Sequence, residues 1–182
     1  FTINALYADP ASGEIFDWFG GLEDLAERRV RFIGDPHQRI REDHLRILRY
    51  FRFQARFGSV PADAASESAC AELAATLKGL SRERVGMEMM NLLSLADPAP
   101  TVSRMAELAV LDVVLPEARV DALVALIAEE RRQQIAPDGL RRLAAQGVEV
   151  RLRADPTGVA SGSWAGAGER RTDAARFRPG VH

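Results

Sequence analysis

The sequence predicts an α+β protein, a short β-hairpin remnant followed by an all-α bundle. Three observations carry this expectation. Two apolar runs, residues 3–8 and 14–18, flank the turn cluster Asp9-Pro10-Ala11-Ser12-Gly13, the pattern of a hairpin. From Pro36 onward the apolar positions recur with a helical period instead of alternating. The helical stretches then stop at spaced breakers: Gly58, Lys78-Gly79, Ala96-Asp97-Pro98 and Leu115-Pro116.

Taken in order, Gly20-Gly21 ends the second strand, residues 22–28 read as a short helix, and residues 30–33 read as a further strand. Asp35 is the expected N-cap of the next helix with Pro36 at its first position. That helix is expected to run unbroken to Gly58, with Arg49, Arg52 and Arg56 on one face and Ile47, Leu48, Tyr50, Phe51, Ala55 and Phe57 on the other. Further helices are expected over residues 63–77, 81–95, 101–108, 120–133 and 137–146, with Met87, Met89 and Met90 as core filler. Residues 148–182 hold five glycines and scattered arginines without an apolar period, and are expected to be disordered or poorly packed. Their Arg, Ala and Gly richness also matches a GC-rich gene read out of frame.

Composition narrows the class. With 47% hydrophobic and 27% charged residues the chain is ordinary for a soluble globular protein, and its 182 residues suffice for a sizeable core. No apolar run approaches the ~20 residues of a membrane span, and no signal peptide is visible, so a cytoplasmic location is expected. The single cysteine, Cys70, excludes an internal disulfide and a thiolate metal cluster, and His37, His44 and His182 lack ligand spacing. The formal net charge of −2 does not advertise nucleic-acid binding. Residues 39–56, however, set six arginines against Glu42 and Asp43, a local basic stripe suited to phosphates.

Within that stripe, Asp43 and Arg46 are three residues apart, so on one helix their side chains leave the same face. A carboxylate beside a guanidinium matches the amino donor and ring-nitrogen acceptor that cytosine and adenine both present. Uracil and guanine reverse the order and would leave buried polar groups unpaired. Taken alone, the same pair reads as a solvated ion pair worth a few tenths of a kcal/mol.

The surroundings add a resemblance. Phe1-Thr2-Ile3-Asn4-Ala5-Leu6 resembles the end of an Arg-Arg-Asp-Phe-Thr-x-Asn-Ala motif, and Asp17, Gly20-Gly21 and Asp24-Leu25 resemble a head–neck junction. Residues 39–49 are similar to an Arg-x-x-Glu-Asp-x-x-Arg-x-x-Arg signature, and Ser81-Arg82-Glu83-Arg84-Val85 with Glu88 to a later Glu-Arg-Val/Ile block. In this order they resemble the class II CCA-adding tRNA nucleotidyltransferase and bacterial poly(A) polymerase superfamily. The resemblance implies a truncated end of a head domain over residues 1–34, a helical neck for nucleotide recognition and RNA binding over 35–96, the start of a helical body over 97–147, and the anomalous tail over 148–182.

It further implies a template-independent transferase that adds CCA to tRNA 3′ ends from CTP and ATP. Its Mg2+-binding carboxylates would lie upstream of Phe1, so that the fragment alone lacks catalytic residues and metal ligands. Asp9, Asp17 and Asp24 are expected to form turns and caps. Asn4, Arg39, Glu42, Asp43, Arg46 and Arg49 would bind the nucleotide: Asp43 and Arg46 reading the base, Glu42 orienting Arg46, Arg39 and Arg49 near the phosphates. Arg49 paired with Glu42 on the bundle surface is the competing assignment. Arg52 and Arg56 would lie solvated or on the RNA backbone, while Asp17, Gly20 and Gly21 would form a hinge. Glu83, Arg84 and Glu88 would brace the reading helix as a buried ion pair. A bacterial poly(A) polymerase shares every block; a helical RNA-binding module and a nonfunctional remnant are the readings from other classes.

Overall fold

A computed structural model describes residues 1–146 and, for their backbone alone, residues 150–154 and 160–164. The chain opens with a 3-10 turn, Thr2–Asn4, followed by strands β1 (Tyr7–Ala8) and β2 (Ile15–Phe16), which pair antiparallel with Tyr7 opposite Phe16. Asp9 closes the connection, its carboxylate accepting from the Ala11 amide at 2.9 Å and the Ser12 hydroxyl at 2.8 Å. The first strand is shorter than expected because the amides of Asn4 and Ala5 bond back to the carbonyls of Phe1 and Thr2, local bonds that replace a ladder. The rings of Tyr7, Phe16 and Trp18 cluster on the exposed hairpin.

Helix α1 (Gly21–Ala26) is started by Asp17, whose carboxylate accepts from the amides of Phe19, Gly21 and Leu22. Inside α1, Asp24 is fully buried and accepts from Arg29 Nε at 2.6 Å and Arg31 Nε at 2.7 Å. The strand expected over residues 30–33 is absent among the described residues. Val30 and Phe32 do point inward as a strand would have them, but the neighbouring Phe1 segment is turned and supplies one backbone bond there, Thr2 N to Arg31 O.

Asp35 caps α2 (Pro36–Glu42), accepting from the His37 amide at 3.0 Å, with Pro36 in the first turn. The expected continuous helix is broken: Asp43 is extended, with φ −154° and ψ 104°, and α3 (Arg46–Phe57) begins three residues later. The bundle continues through α4 (Ala64–Glu72), a 3-10 stretch (Ala74–Gly79), α5 (Arg82–Leu93), α6 (Ala99–Glu107), the one-turn α7 (Leu111–Val114), α8 (Val120–Arg132) and α9 (Gly139–Ala144). Asp63, Ser81 and Asp138 supply side-chain caps for α4, α5 and α9. Helix α7 was not expected; α6 ends with Ala109 at φ 55°, and the chain makes one further turn before Pro116.

Ile47, Leu48, Tyr50 and Phe51 of α3 pack with Met89, Leu92 and Leu93 of α5 and Val102 and Met105 of α6 in the central core. Met87, expected in that core, is 62% exposed, two residues from Val85 and Met89, which carry the buried face. Phe1 joins the N-terminal part to the bundle: its ring lies 4.7 Å from Phe32 and 5.1 Å from Phe53, and Phe32 stacks on Tyr50. At the other end Glu130 of α8 is buried against Arg141 and Arg142 of α9, and Arg142 Nη1 donates to the carbonyls of Leu93 and Leu95. Leu93 is the last residue of α5 and Leu95 lies two residues beyond it, where carbonyls have left the helical ladder.

Strands β3 (Val150–Ala154) and β4 (Ala160–Trp164) pair antiparallel, with Val150 opposite Trp164, inside a stretch whose composition suggested disorder. Val150, Arg151, Leu152 and Arg153 alternate as a strand does, a local pattern outweighed in the reading by the glycine content. The remainder of that expectation lies outside the described residues. No described helix is long and apolar enough to cross a membrane.

Two predictions follow from packing and burial. A Cβ at Gly21 would lie 2.4 Å from the Thr2 carbonyl oxygen, whereas Gly20 meets no such obstacle and needs only its φ of 72°. Urea titration should therefore show Gly21→Ala losing about 3 kcal/mol and Gly20→Ala about 1 kcal/mol. Burial pushes the Glu130 carboxyl up, but hydrogen bonds from Arg142 and Arg141 outweigh it, and the net shift is below the ordinary 4.5. Its stabilisation is thus complete above that value and lost as pH falls through the lower folded value. In denaturant titrations between about pH 5 and pH 3, Glu130→Gln should show a shallower fall in stability than the parent chain.

Candidate nucleotide-reading site

The break between α2 and α3 is built by Asp43. Its Oδ1 accepts from the Leu45 amide at 3.2 Å and its carbonyl accepts from the Arg46 amide at 3.0 Å, so side chain and main chain of one residue start the next helix. Asp43 and Arg46 are therefore not one turn apart on a single helix, as their spacing suggested. Asp43 stands at the junction and Arg46 is the first residue of α3. The correction has a physical cause: an aspartate that bonds the amide two residues on competes with helix continuation.

Arg46 folds back over the end of α2, its Nη1 donating to the Arg39 carbonyl at 2.7 Å and to Glu42 Oε2 at 2.6 Å. Arg39 Nη1 reaches the same Glu42 oxygen at 2.8 Å. The Arg46 guanidinium, with Arg39 behind it, holds the exposed Glu42 carboxyl below the usual carboxylate range.

From α5, Arg84 Nη2 contacts both oxygens of Asp43, at 3.2 and 3.4 Å. One turn on, buried Glu88 accepts from Arg49 Nε at 3.0 Å and Arg52 Nε at 2.8 Å. Arg49 thus pairs with Glu88 and not with Glu42, and Arg52, expected in solvent or on RNA, is half-buried in the same clasp. Arg56 is exposed with its guanidinium over the Phe57 ring. Glu83 is exposed in the first turn of α5, where its charge suits the helix dipole.

These contacts gather Arg39, Glu42, Asp43, Arg46, Arg49, Arg52, Arg84 and Glu88 around the α2–α3 junction. Five guanidiniums face three carboxylates there, leaving two positive charges in excess. Asn4 lies in the 3-10 turn and is exposed; it is not a strand residue, and its placement is set by the Phe1 segment. Asp17 and Gly20-Gly21 form the capped entry to α1, with the backbone freedom at Gly20 and close packing at Gly21. Sequence reading missed the pairing of Arg84 with Asp43; the only local hint was that Arg84 and Glu88 lie one turn apart with charges opposite to those of Asp43 and Arg49.

The acids outside this group do not fit a cation. Asp9 closes a turn, Asp17 is filled by three amides and Asp24 lies between two guanidiniums. Among the described residues no group of three or more His, Cys, Asp or Glu is arranged to hold a metal ion. A cleft of about 650 Å³ lies at the far end of α3, lined by Gln54, Val60, Thr101 and Arg104 among others, and Arg104 is tied there to Glu67 and Glu107. It is separate from the junction.

The poly A polymerase head domain family matches residues 1–31, and the family described as the probable RNA and SrmB-binding site of polymerase A matches residues 63–121. The chain is 47% identical over 94 residues to human mitochondrial CCA tRNA nucleotidyltransferase 1, covering 50% of this chain and 21% of that protein. It is 39% identical over 128 residues to the multifunctional CCA protein of Xanthomonas campestris, covering 68% and 30%. The fold is similar to the Bacillus stearothermophilus CCA-adding enzyme in complex with CTP, with TM-score 0.67 and 32% identity over 82% of this chain and 38% of that one. The chain thus spans between about a fifth and a third of the curated relatives' length.

The clasp makes a prediction of its own. Glu88→Ala strands two guanidiniums at the α3–α5 contact and should cost about 2–3 kcal/mol in chemical denaturation. Arg49→Ala and Arg52→Ala should each cost less, because the remaining arginine still neutralises Glu88.

Proposed function

Since the chain belongs to the CCA-adding tRNA nucleotidyltransferase and poly(A) polymerase superfamily, we propose that it serves an enzyme that adds CCA to tRNA 3′ ends from CTP and ATP. In this reading residues 1–34 are the end of the head, 35–96 the nucleotide-reading and RNA-binding neck, and 97–147 the beginning of the body. The observation that supports it is the α2–α3 junction, where the Asp43 carboxylate and, three residues on, the Arg46 guanidinium are each already held by their own protein partners. Preorganised polar groups discriminate between flat ligands because the wrong edge leaves a donor or acceptor unpaired.

Asp43 accepts from the exocyclic amino group of cytosine or adenine, and Arg46 donates to the adjacent ring nitrogen. Glu42 and the Arg39 carbonyl fix the Arg46 guanidinium in that duty. Arg39 and Arg49, planar donors beside the reader, contact the triphosphate. Arg52 and Arg56 track the RNA backbone, Arg52 after leaving Glu88, and Asn4 faces the nucleotide from the head side. Asp17, Gly20 and Gly21 allow the head to move between the two base geometries. Mg2+ belongs to carboxylates other than those described, and no step is assigned to it. The setting is the cytosol, and the tRNA 3′ end is the partner.

The complete gene product should incorporate C when given CTP alone and tRNA lacking its terminal CCA. Long tails from ATP alone without C incorporation would identify a poly(A) polymerase, which shares every block with the first reading. Salt-sensitive RNA binding with no incorporation would leave an RNA-binding module. Asp43→Ala should lower the preference for CTP over UTP roughly tenfold to a hundredfold, read from incorporation of each nucleotide singly.

A further inference from the structure

The cleft at the far end of α3 takes no part in reading the nucleotide, and its charge is the reverse of the junction's. Helix α3 has 12 residues, so about 18 Å of helix axis separates its two ends. At the junction end the guanidiniums are in excess. At the other end one guanidinium, Arg104, lines the cleft against three carboxylates, Glu67, Asp97 and Glu107. Arg131 of α8, which is not a lining residue, reaches Asp97 at 2.9 Å, and Arg104 is left to serve both Glu67 and Glu107.

Arg104 serves them unequally. Its Nε and Nη2 both bond Glu67, whose side chain is 12% exposed, whereas Nη1 alone reaches Glu107, which is 63% exposed. One arginine neutralises one carboxylate, so Glu107 keeps a negative charge that a cation from outside can meet. Beside it the lining is apolar, from Phe51 and Ala55 of α3, Pro61 of the α3–α4 loop and Pro100 of α6. The loop is held before anything binds: Gln54 Nε2 donates to the Ser59 carbonyl at 2.8 Å, Arg28 Nη2 to the Gly58 carbonyl at 3.0 Å, and the Ser59 amide to the Arg28 carbonyl at 2.9 Å. Val60, on that tethered loop, lines the cleft and yet is 92% exposed, which makes it the rim.

We infer that this cleft docks a segment of a partner protein in which a lysine or arginine stands beside apolar side chains. The cation meets Glu107, and the apolar side chains cover the lining and Val60. A polynucleotide is the wrong occupant, because its phosphates would meet surplus negative charge. A compound confined to the cleft would leave Val60 in water, whereas a chain crossing the rim covers it. The tethered loop keeps the ordering cost of docking low. The inference stands apart from the base-reading assignment, and the length of α3 lets a nucleotide and a partner segment occupy its two ends together.

The test uses the complete gene product and fluorescein-labelled hexapeptides that alternate leucine with lysine, leucine with glutamate, or glycine with lysine, read by fluorescence anisotropy. The leucine–lysine peptide should bind about tenfold more tightly than either of the others. Glu107→Gln should weaken it about threefold and Val60→Ser about tenfold, each melting within about 2 °C of the parent. Glu14→Gln, which removes an exposed carboxylate beside β2 and outside the cleft, should leave the affinity unchanged. Equal weakening by Glu14→Gln, equal binding of the glycine–lysine peptide, or no binding at about 1 mM peptide overturns the docking site. If Val60→Ser weakens binding of tRNA lacking its CCA end and leaves peptide affinity intact, the cleft belongs to RNA and the inference fails.

Discussion

A buried carboxylate holding two guanidiniums at once organises this chain. Glu88 joins α5 to α3 through Arg49 and Arg52, on the same helix contact across which Arg84 reaches Asp43. The same device recurs at Asp24 with Arg29 and Arg31, and at Glu130 with Arg141 and Arg142. Taking one carboxylate out of water costs several kcal/mol; a single half-exposed arginine offsets that poorly. Burial pushes both the Asp24 and the Glu130 carboxyls up, but hydrogen bonds from Thr2, Arg31 and Arg29 at Asp24, and from Arg142 and Arg141 at Glu130, overcome it and keep each carboxyl below its ordinary range.

The three clusters divide the labour of the fold. The Asp24 cluster secures the segment that returns from α1 to α2, the Glu88 cluster fixes α3 against α5, and the Glu130 cluster ties α8 and α9 to the end of α5. Between them the apolar core supplies most of the cohesion, with Ile47, Tyr50, Phe51, Met89 and Met105 wholly or almost wholly buried. Direction comes from the ion pairs and bulk from the core. Met105 and Tyr50 fix no angle by themselves, whereas a guanidinium bonded through Nε accepts few orientations.

Local chemistry was legible in the sequence. Asp35-Pro36 starts α2, Ser81 starts α5, and Gly58 follows the last residue of α3, because each signal lies within four residues of what it controls. The break at Asp43 was not legible, since the apolar period continues across it and the deciding bond runs from a side chain to the Leu45 amide. Partners separated by 36 to 41 residues, such as Arg52 with Glu88 and Arg84 with Asp43, were out of reach for any local pattern. The candidate site was therefore recognisable as a set of residue types, while its wiring required the fold. The strand expected over residues 30–33 shows the converse: alternation was present, but Phe1 and its neighbours turned instead of pairing.

The layer of rings around Phe1 differs in kind from the ionic clasps. Phe1 lies against Phe32 and Phe53, and Phe32 on Tyr50, with interplanar angles from 16° to 48° and no hydrogen bond among the ring atoms. Ring faces resist being pulled apart because separation admits water, yet they slide over one another with little change in buried area. The N-terminal segment thus rests on α3 through ring faces that carry no directional bond, and what holds it there is the exclusion of water from Phe53 and Tyr50.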